Sequence, residues 1–314
     1  MANGSRHTVY VVAEDTYGVT PDTPAFDTMR STGITLGLSK DSLQSEEIRN
    51  DRQIADYRLG ANQVGGDLKF ELSAQTYDAL FESAFQSTWE TGVPAGKDRL
   101  ACGTTRKSFT IMRHFGDLTE TDPTSKPYFV YRGCEVNTMS LTINANSMIP
   151  GVFGFVGKGL ELLPTTIADS YNDPTETSTL DSFTGELKAN GTTIAVITEI
   201  GLSLENGISP RFVVSSRDSI LPEVGDSNLT GTMTAYFESS SLVEQFINET
   251  ETRLEVSLPD KDGNTIELVV PRIKYTGGQP DVDGPGSVML SLPFQALFDT
   301  TEQTNLVMYR NTQA

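Results

Sequence analysis

Gly66-Asp-Leu-Lys-Phe-Glu-Leu-Ser73 alternates apolar and polar side chains, and Tyr77-Asp-Ala-Leu-Phe-Glu-Ser-Ala-Phe85 follows it at once. The first stretch has the period of two expected of a half-buried strand over 65–73. The second pairs Leu80 with Ala84 and Phe81 with Phe85, the i, i+4 stripe of a short amphipathic helix over 75–86. The chain then repeats itself. Gly231-Thr-Met-Thr-Ala-Tyr-Phe-Glu238 precedes Leu242-Val-Glu-Gln-Phe-Ile247. Aligning Gly66 with Gly231 sets Leu68 against Met233, Phe70 against Ala235, Leu72 against Phe237 and Phe81 against Phe246. Two copies of one strand-to-helix unit predict a pseudo-symmetric object, and assembly before chemistry.

Working outward, residues 32–40 place Ile34, Leu36 and Leu38 on one face of a strand. Residues 41–63 form a long charged stretch, Ser45-Glu-Glu-Ile-Arg-Asn-Asp-Arg-Gln-Ile-Ala-Asp-Tyr-Arg58, read as a loop too long for a tight turn. The second copy keeps a comparable polar stretch at 205–227, with Arg211-Phe-Val-Val-Ser-Ser-Arg-Asp218. Residues 87–107 read as an insertion peculiar to the first copy. Strands are predicted over 106–115, 127–144 with a bend at Gly133, and 151–162. Within 136–143, Val136, Met139, Leu141 and Ile143 lie mostly on one face and Thr138, Ser140 and Thr142 on the other. The second copy supplies strand 193–204, helix 240–249, a hairpin over 252–270 and strand 286–298. The reading is therefore mainly β, with β-sandwich or barrel-forming sheets and one short helix per copy. Its divisions are an extended N-terminal arm at 1–30, a first domain at 31–162, a linker at 163–190 and a second domain at 191–314.

Composition narrows the function. At 314 residues, two domains fit. No apolar run reaches the roughly 20 residues of a membrane helix, and the N-terminus lacks a signal-peptide core, so a soluble cytoplasmic product is expected. Net charge is −19, which repels nucleic-acid phosphates. Cys102 and Cys134 lack metal-ligand spacing and are expected to be buried reduced thiols, with a disulfide as the alternative. His7 and His114 have no carboxylate or His partner at catalytic spacing. The glycines from Gly151 to Gly159 open no helix and suit a bending sheet better than a nucleotide loop. Asp260-Lys-Asp-Gly-Asn264 reads as a hairpin turn, and it and Asp281-Val-Asp-Gly284 lack the rest of an EF-hand. No enzyme, cofactor or metal site is expected.

Three segments together resemble the tail tube proteins of long, non-contractile-tailed bacteriophages. They are Val11-Val-Ala-Glu-Asp-Thr-Tyr-Gly-Val-Thr-Pro21, Ser45-Glu-Glu-Ile-Arg-Asn-Asp-Arg-Gln53, and the strand-to-helix step from Gly66 to Phe81. The resemblance covers 9–162 and, through the repeat, 193–298. It implies two packed sheets flanked by a helix, with six folds joined edge to edge into a barrel of about 24 strands. With two copies per chain, three chains are expected to close a pseudo-sixfold ring. The alternative is six complete chains with one copy displayed outside.

The resemblance further implies rings stacked through 41–63 and 205–227, with 1–30 as a clasp. Glu46, Glu47, Arg49, Asp51, Arg52, Asp56, Arg58, Arg211, Arg217 and Asp218 are the candidate inter-ring contacts. Thr138, Ser140 and Thr142 are candidates to face the lumen. Expected partners are other copies of the chain and the tape-measure, tail-tip and tail-terminator proteins, with genomic DNA passing through unbound and no membrane. The expected location is the virion tail, after synthesis in the host bacterial cytoplasm. The competing reading is a virion decoration or receptor-binding β-protein.

Overall fold

The computed structural model describes residues 3–119, 124–182, 185–194, 196–282 and 284–311. In the first half the elements are β1 (His7–Glu14), β2 (Ala25–Met29), β3 (Gly33–Ile34), β4 (Gly37–Gln44), β5 (Tyr57–Glu71) and α1 (Asp78–Phe85). They continue with β6 (Asp98–Ala101), β7 (Ser108–Phe115), β8 (Tyr128–Asn144), β9 (Pro150–Gly157), β10 (Gly159–Leu163) and β11 (Ser170–Asn172). The second half begins with β12 (Glu186–Ala189), β13 (Thr192–Thr193), β14 (Ile197–Glu205), β15 (Ser209–Arg211), β16 (Ile220–Glu223) and β17 (Asn228–Tyr236). It ends with α2 (Ser241–Ile247), β18 (Thr252–Pro259), β19 (Thr265–Tyr275), β20 (Pro280–Asp281), β21 (Met289–Ala296) and β22 (Val307–Asn311). The chain is mainly β, as its alternation predicts.

The repeat is a repeat of pairings as well as of sequence. In the first half β4 pairs β5, β5 pairs β9, β9 pairs β8, β8 pairs β7 and β7 pairs β1. In the second half β14, β17, β21, β19, β18 and β12 follow one another in the same order. The equivalence reaches individual residues. Val64 faces Leu38 and Leu68 faces Ile34, as Leu229 faces Leu204 and Met233 faces Ile200.

Each half is two layers of sheet. In the first, Gly133 adopts a φ of +65°, and a Cβ there would lie 2.9 Å from the Tyr17 ring. The bend sends the two ends of β8 into different sheets. Residues 128–134 pair with β7 and β10 in an outer sheet, and residues 135–141 pair with β9 in an inner one. Between them lie the inward faces of β5, β8 and β9 with α1, including Phe70, Phe81 and Phe153, whose rings sit 4.5 Å (Phe70–Phe153) and 5.2 Å (Phe81–Phe153) apart.

The inner sheets of the two halves are one sheet. The C-terminal end of β8 pairs with β14 from Thr138–Glu205 to Asn144–Glu199, giving the order β4-β5-β9-β8-β14-β17-β21-β19. A single hydrophobic cluster runs through both halves, from Val9 to Met308. The first copy's insertion crosses over: β6 adds to β22, and the Arg310 guanidinium lies 4.3 Å from the Trp89 ring centre while bonding Asp98 and Asp78.

Three local expectations are corrected. Residues 7–14 of the expected arm are a full strand, paired with β7 along all eight residues. Its alternation is hidden because both faces are covered: Val9 and Val11 face the main core, and Tyr10 and Val12 pack with Phe26, Met112 and Val130 beneath Leu163 and Ile167. Residues 41–44 and 57–63, expected in a loop, extend the β4–β5 ladder out to Gln44–Tyr57, because backbone pairing is indifferent to polar side chains when both faces meet water. Helix α1 begins at Asp78, not at 75. Gln75 has a φ of 62°, and the Ser73 and Thr76 hydroxyls bond each other at 2.6 Å, which holds that segment in a turn.

Candidate assembly surfaces

The β4–β5 hairpin ends in residues 45–56. Glu46, Glu47, Arg49, Asp51, Arg52 and Asp56 lie there, Arg58 lies on β5, and all seven are exposed. Their ion pairs are local: Arg49 Nη2 to Asp51 Oδ2 at 2.6 Å, and Arg58 Nε to Asp56 Oδ2 at 3.5 Å. The Arg49 guanidinium beside Asp51 holds its carboxyl below the usual carboxylate range. Pairs this exposed contribute little to stability. Sequence reading missed the apolar residues among them. Ile48 is 99% exposed, and Leu43, Ile54, Tyr57 and Leu59 are also open to solvent. Apolar side chains exposed together on one hairpin make it a candidate interaction surface. Their only sequence signal is their recurrence inside a charged run.

The matching stretch of the second half carries a small β15–β16 ladder. Arg211 donates from Nε and Nη2 to Leu221 O at 2.9 and 2.8 Å. The turn with Arg217 and Asp218 folds back onto the first half, where Asn62 donates its backbone N–H to Arg217 O (2.7 Å) and its Nδ2 to Asp218 Oδ1 (2.6 Å). Asn206 fastens the start of this stretch, with Nδ2 donating to Ala84 O at the end of α1 and to Val136 O. Between these anchors Phe212, Val213 and Val214 stay exposed, Val214 at 96%. The ten candidate residues therefore fall into two groups, one on the hairpin tip and one at its base.

Thr138, Ser140 and Thr142 lie half-buried on the face of the inner sheet opposite the core, while Met139, Leu141 and Ile143 are buried on the other. A Cβ on Gly154 would lie 2.2 Å from Thr138 Oγ1, so the hydroxyl occupies the space a side chain would take. Strand alternation puts Ser203, Thr230 and Thr232 on this same face. It also puts Asp67, Glu71, Glu199 and Glu205 there, against Lys69 and Lys274. The face is hydroxyl-lined with an excess of carboxylates.

Of the histidines, His7 lies on β1 with its Nε2 accepting from Arg113 Nε at 3.1 Å. Burial, the Arg113 charge and His114 lower its pKa from 6.5 to about 4. Because the folded pKa is depressed, the contribution of neutral His7 is present above pH 6.5 and is lost as pH falls toward 4. Thermal melts between pH 7 and pH 4 are expected to fall less steeply in His7→Gln than in the parent chain. An unchanged slope would remove His7 from the acid response.

The Asp260 carboxylate accepts from the backbone N–H of Asp262 and Asn264, both at 2.8 Å, so it builds the β18–β19 turn. Asp283 of the other acidic turn lies outside the described residues. Cys102 and Cys134 are free thiols, and burial pushes Cys102 up to about 11. No helix among the described residues is long and apolar enough to cross a membrane.

A family model for phage tail tube protein matches residues 4–296, nearly the whole chain. The chain belongs to the phage tail tube protein family. No curated protein matches it. A tail tube protein self-assembles and associates with other tail proteins. Membership makes the chain a structural component of the virion tail.

Proposed function

We propose that this chain is the tube subunit of a long, non-contractile phage tail, and that three chains close each ring with pseudo-sixfold symmetry. The β8–β14 junction carries this reading. It joins two copies of one fold edge to edge, so each chain holds two sixths of a ring and one worked example of the contact that repeats around it. Each copy supplies four inner strands, and three chains then complete a barrel of about 24. The same reading divides the chain near the expected bounds of 31–162 and 191–314, but each copy also takes in one strand ahead of them, β1 in the first and β12 in the second. Closure removes the exposed edges that would otherwise pair indiscriminately.

In this ring the face with Thr138, Ser140 and Thr142 lines the bore. Its hydroxyls offer no cationic grip, and its excess of carboxylates repels phosphates, so genomic DNA slides through during ejection. The hairpin tip at 45–56 and the exposed segment 212–214 contact the next ring. Tape-measure, tail-tip and tail-terminator proteins are the partners at the bore and the two ends. As a tube subunit the protein performs no catalysis.

Electron microscopy of concentrated protein tests this. End-on class averages are expected to show hollow rings with threefold mass and six inner lobes. Six complete chains per ring would keep the tube and overturn the trimer. Discrete monomers that a tail-tip initiator fails to polymerise would overturn the tube reading in favour of a decoration protein.

A further inference from the structure

Among the described residues the inner sheet ends in two unpaired edges, and the repeat states what each should meet. At the β8–β14 junction, Leu141 faces Leu202 and Ile143 faces Ile200. Asn206 N–H bonds Asn137 O and Ala145 N–H bonds Thr198 O at either end of the same ladder. By alternation Leu141 and Leu202 exchange backbone hydrogen bonds.

Both partners have equivalents at the free edges. On one side, β8 runs along β9 with a one-residue register shift between Val136, opposite Phe155, and Thr138, opposite Gly154. The β19–β20 stretch runs along β21 with the same shift, from Tyr275 opposite Phe294 to Pro280 opposite Leu290. Pro280 therefore stands where Leu141 stands, and Val282 where Ile143 stands. Ile143 is 8% exposed against β14, whereas Val282 is 72% exposed, with no strand beyond it among the described residues. On the other side, Ile34, Leu36 and Leu38 stand where Ile200, Leu202 and Leu204 stand.

One position breaks the equivalence. Pro280 has no N–H to give, so a carbonyl opposite it would be orphaned. The carbonyl that would lie opposite is that of Leu36. Thr35 N–H bonds Asp67 O at 2.8 Å, so Leu36 turns its own backbone groups away from β5 toward the edge. Leu36 O already accepts from Arg113 Nη1 at 2.6 Å. In the second half, Val256 takes the place of Arg113, and Leu202 O has Leu141 N–H instead. Within one chain, then, Leu36 O takes its donor from a side chain where Leu202 O takes it from backbone.

We infer that residues 277–282 of one chain pair antiparallel with residues 34–39 of a second copy, Pro280 opposite Leu36 and Val282 opposite Ile34, with Arg113 replacing the donor that Pro280 lacks. This rests on the ring reading and names its chain-to-chain contact. Pairing covers Val282 against Ile34 as Ile143 is covered by Ile200. The proline also discourages the 277–282 edge from pairing with strands that lack a substitute donor, which favours the correct neighbour.

Oxidative cross-linking of assembled protein tests the register. Paired residues at such a site lie about 5.5 Å apart between Cα atoms, within disulfide reach. Val282→Cys with Ile34→Cys is expected to give covalent dimers and closed trimers on a denaturing gel. Val282→Cys with Leu38→Cys, about 13 Å out of register, should give none. Wild-type rings whose register pair fails to cross-link, or whose control pair does, would overturn the register while leaving the tube standing. A wild type that forms no ring would take the ring reading down with it.

Arg113 has its own test. Arg113→Ala is expected to raise the concentration needed for assembly about tenfold, the effect of one orphaned carbonyl. Adding Pro280→Leu restores a backbone donor and should bring assembly back. Arg113 also bonds His7, so loss of folding is separated by this rescue, which a purely structural role for Arg113 would not produce. Failure of Pro280→Leu to rescue overturns the substitution of donors.

Discussion

Gly66→Ala is expected to destabilise the chain by about 3–5 kcal/mol, enough to remove much of the margin of an ordinary domain. Gly66 has a φ of +139°, and a Cβ there would sit 2.6 Å from Thr35 O and 2.7 Å from Leu36 Cα. Those are backbone atoms of the neighbouring strand, so no side-chain rotation relieves the clash. Its counterpart shows the same constraint in milder form. A Cβ on Gly231 would meet Gly201 O at 2.6 Å and the Phe294 ring at 2.3 Å. Its φ is ordinary, so Gly231→Ala is expected to cost about 2–3 kcal/mol. Urea denaturation at concentrations below assembly measures both. A loss under about 1 kcal/mol at Gly66 would mean that the strands do not approach this closely.

Replacing residues 45–56 by Asn-Gly is expected to leave the fold intact and abolish tube growth. Gln44 and Tyr57 already face each other across the ladder, so a two-residue turn closes the hairpin directly. The removed residues are nearly all exposed and their ion pairs are local, so the melting temperature should barely move. The proposed stacking surface, however, loses Ile48 and Ile54 together with six of the ten charged candidates. Rings without filaments are expected by electron microscopy, with at least a tenfold drop in polymer mass by sedimentation. Tubes of ordinary length from this variant would place ring stacking elsewhere.

How far the sequence could be read follows from which faces meet water. The alternation at Gly66–Ser73 and at Ile34–Leu38 was legible because one face of each strand is buried and the other is not. The bend at Gly133 was legible because glycine is the residue that tolerates it. Strand β1 was not, since both of its faces are covered and its run Val9-Tyr-Val-Val12 shows no period. The outer half of the β4–β5 hairpin was not, since neither of its faces is buried. Among candidate residues, the charges on the hairpin were visible, but the apolar side chains beside them and Val282 gained meaning only from their exposure.

By itself the sequence determined that the chain is β-rich, twice repeated and acidic, because period, repetition and charge are local or additive properties. The tertiary structure alone decided that the two copies share one inner sheet through β8 and β14, and that the first copy's β6 completes the second copy's outer sheet. It alone also set Arg113 against Leu36 O. Which edge meets which depends on backbone groups far apart in the chain, and every residue except proline carries the same ones, so no side-chain pattern announces the pairing.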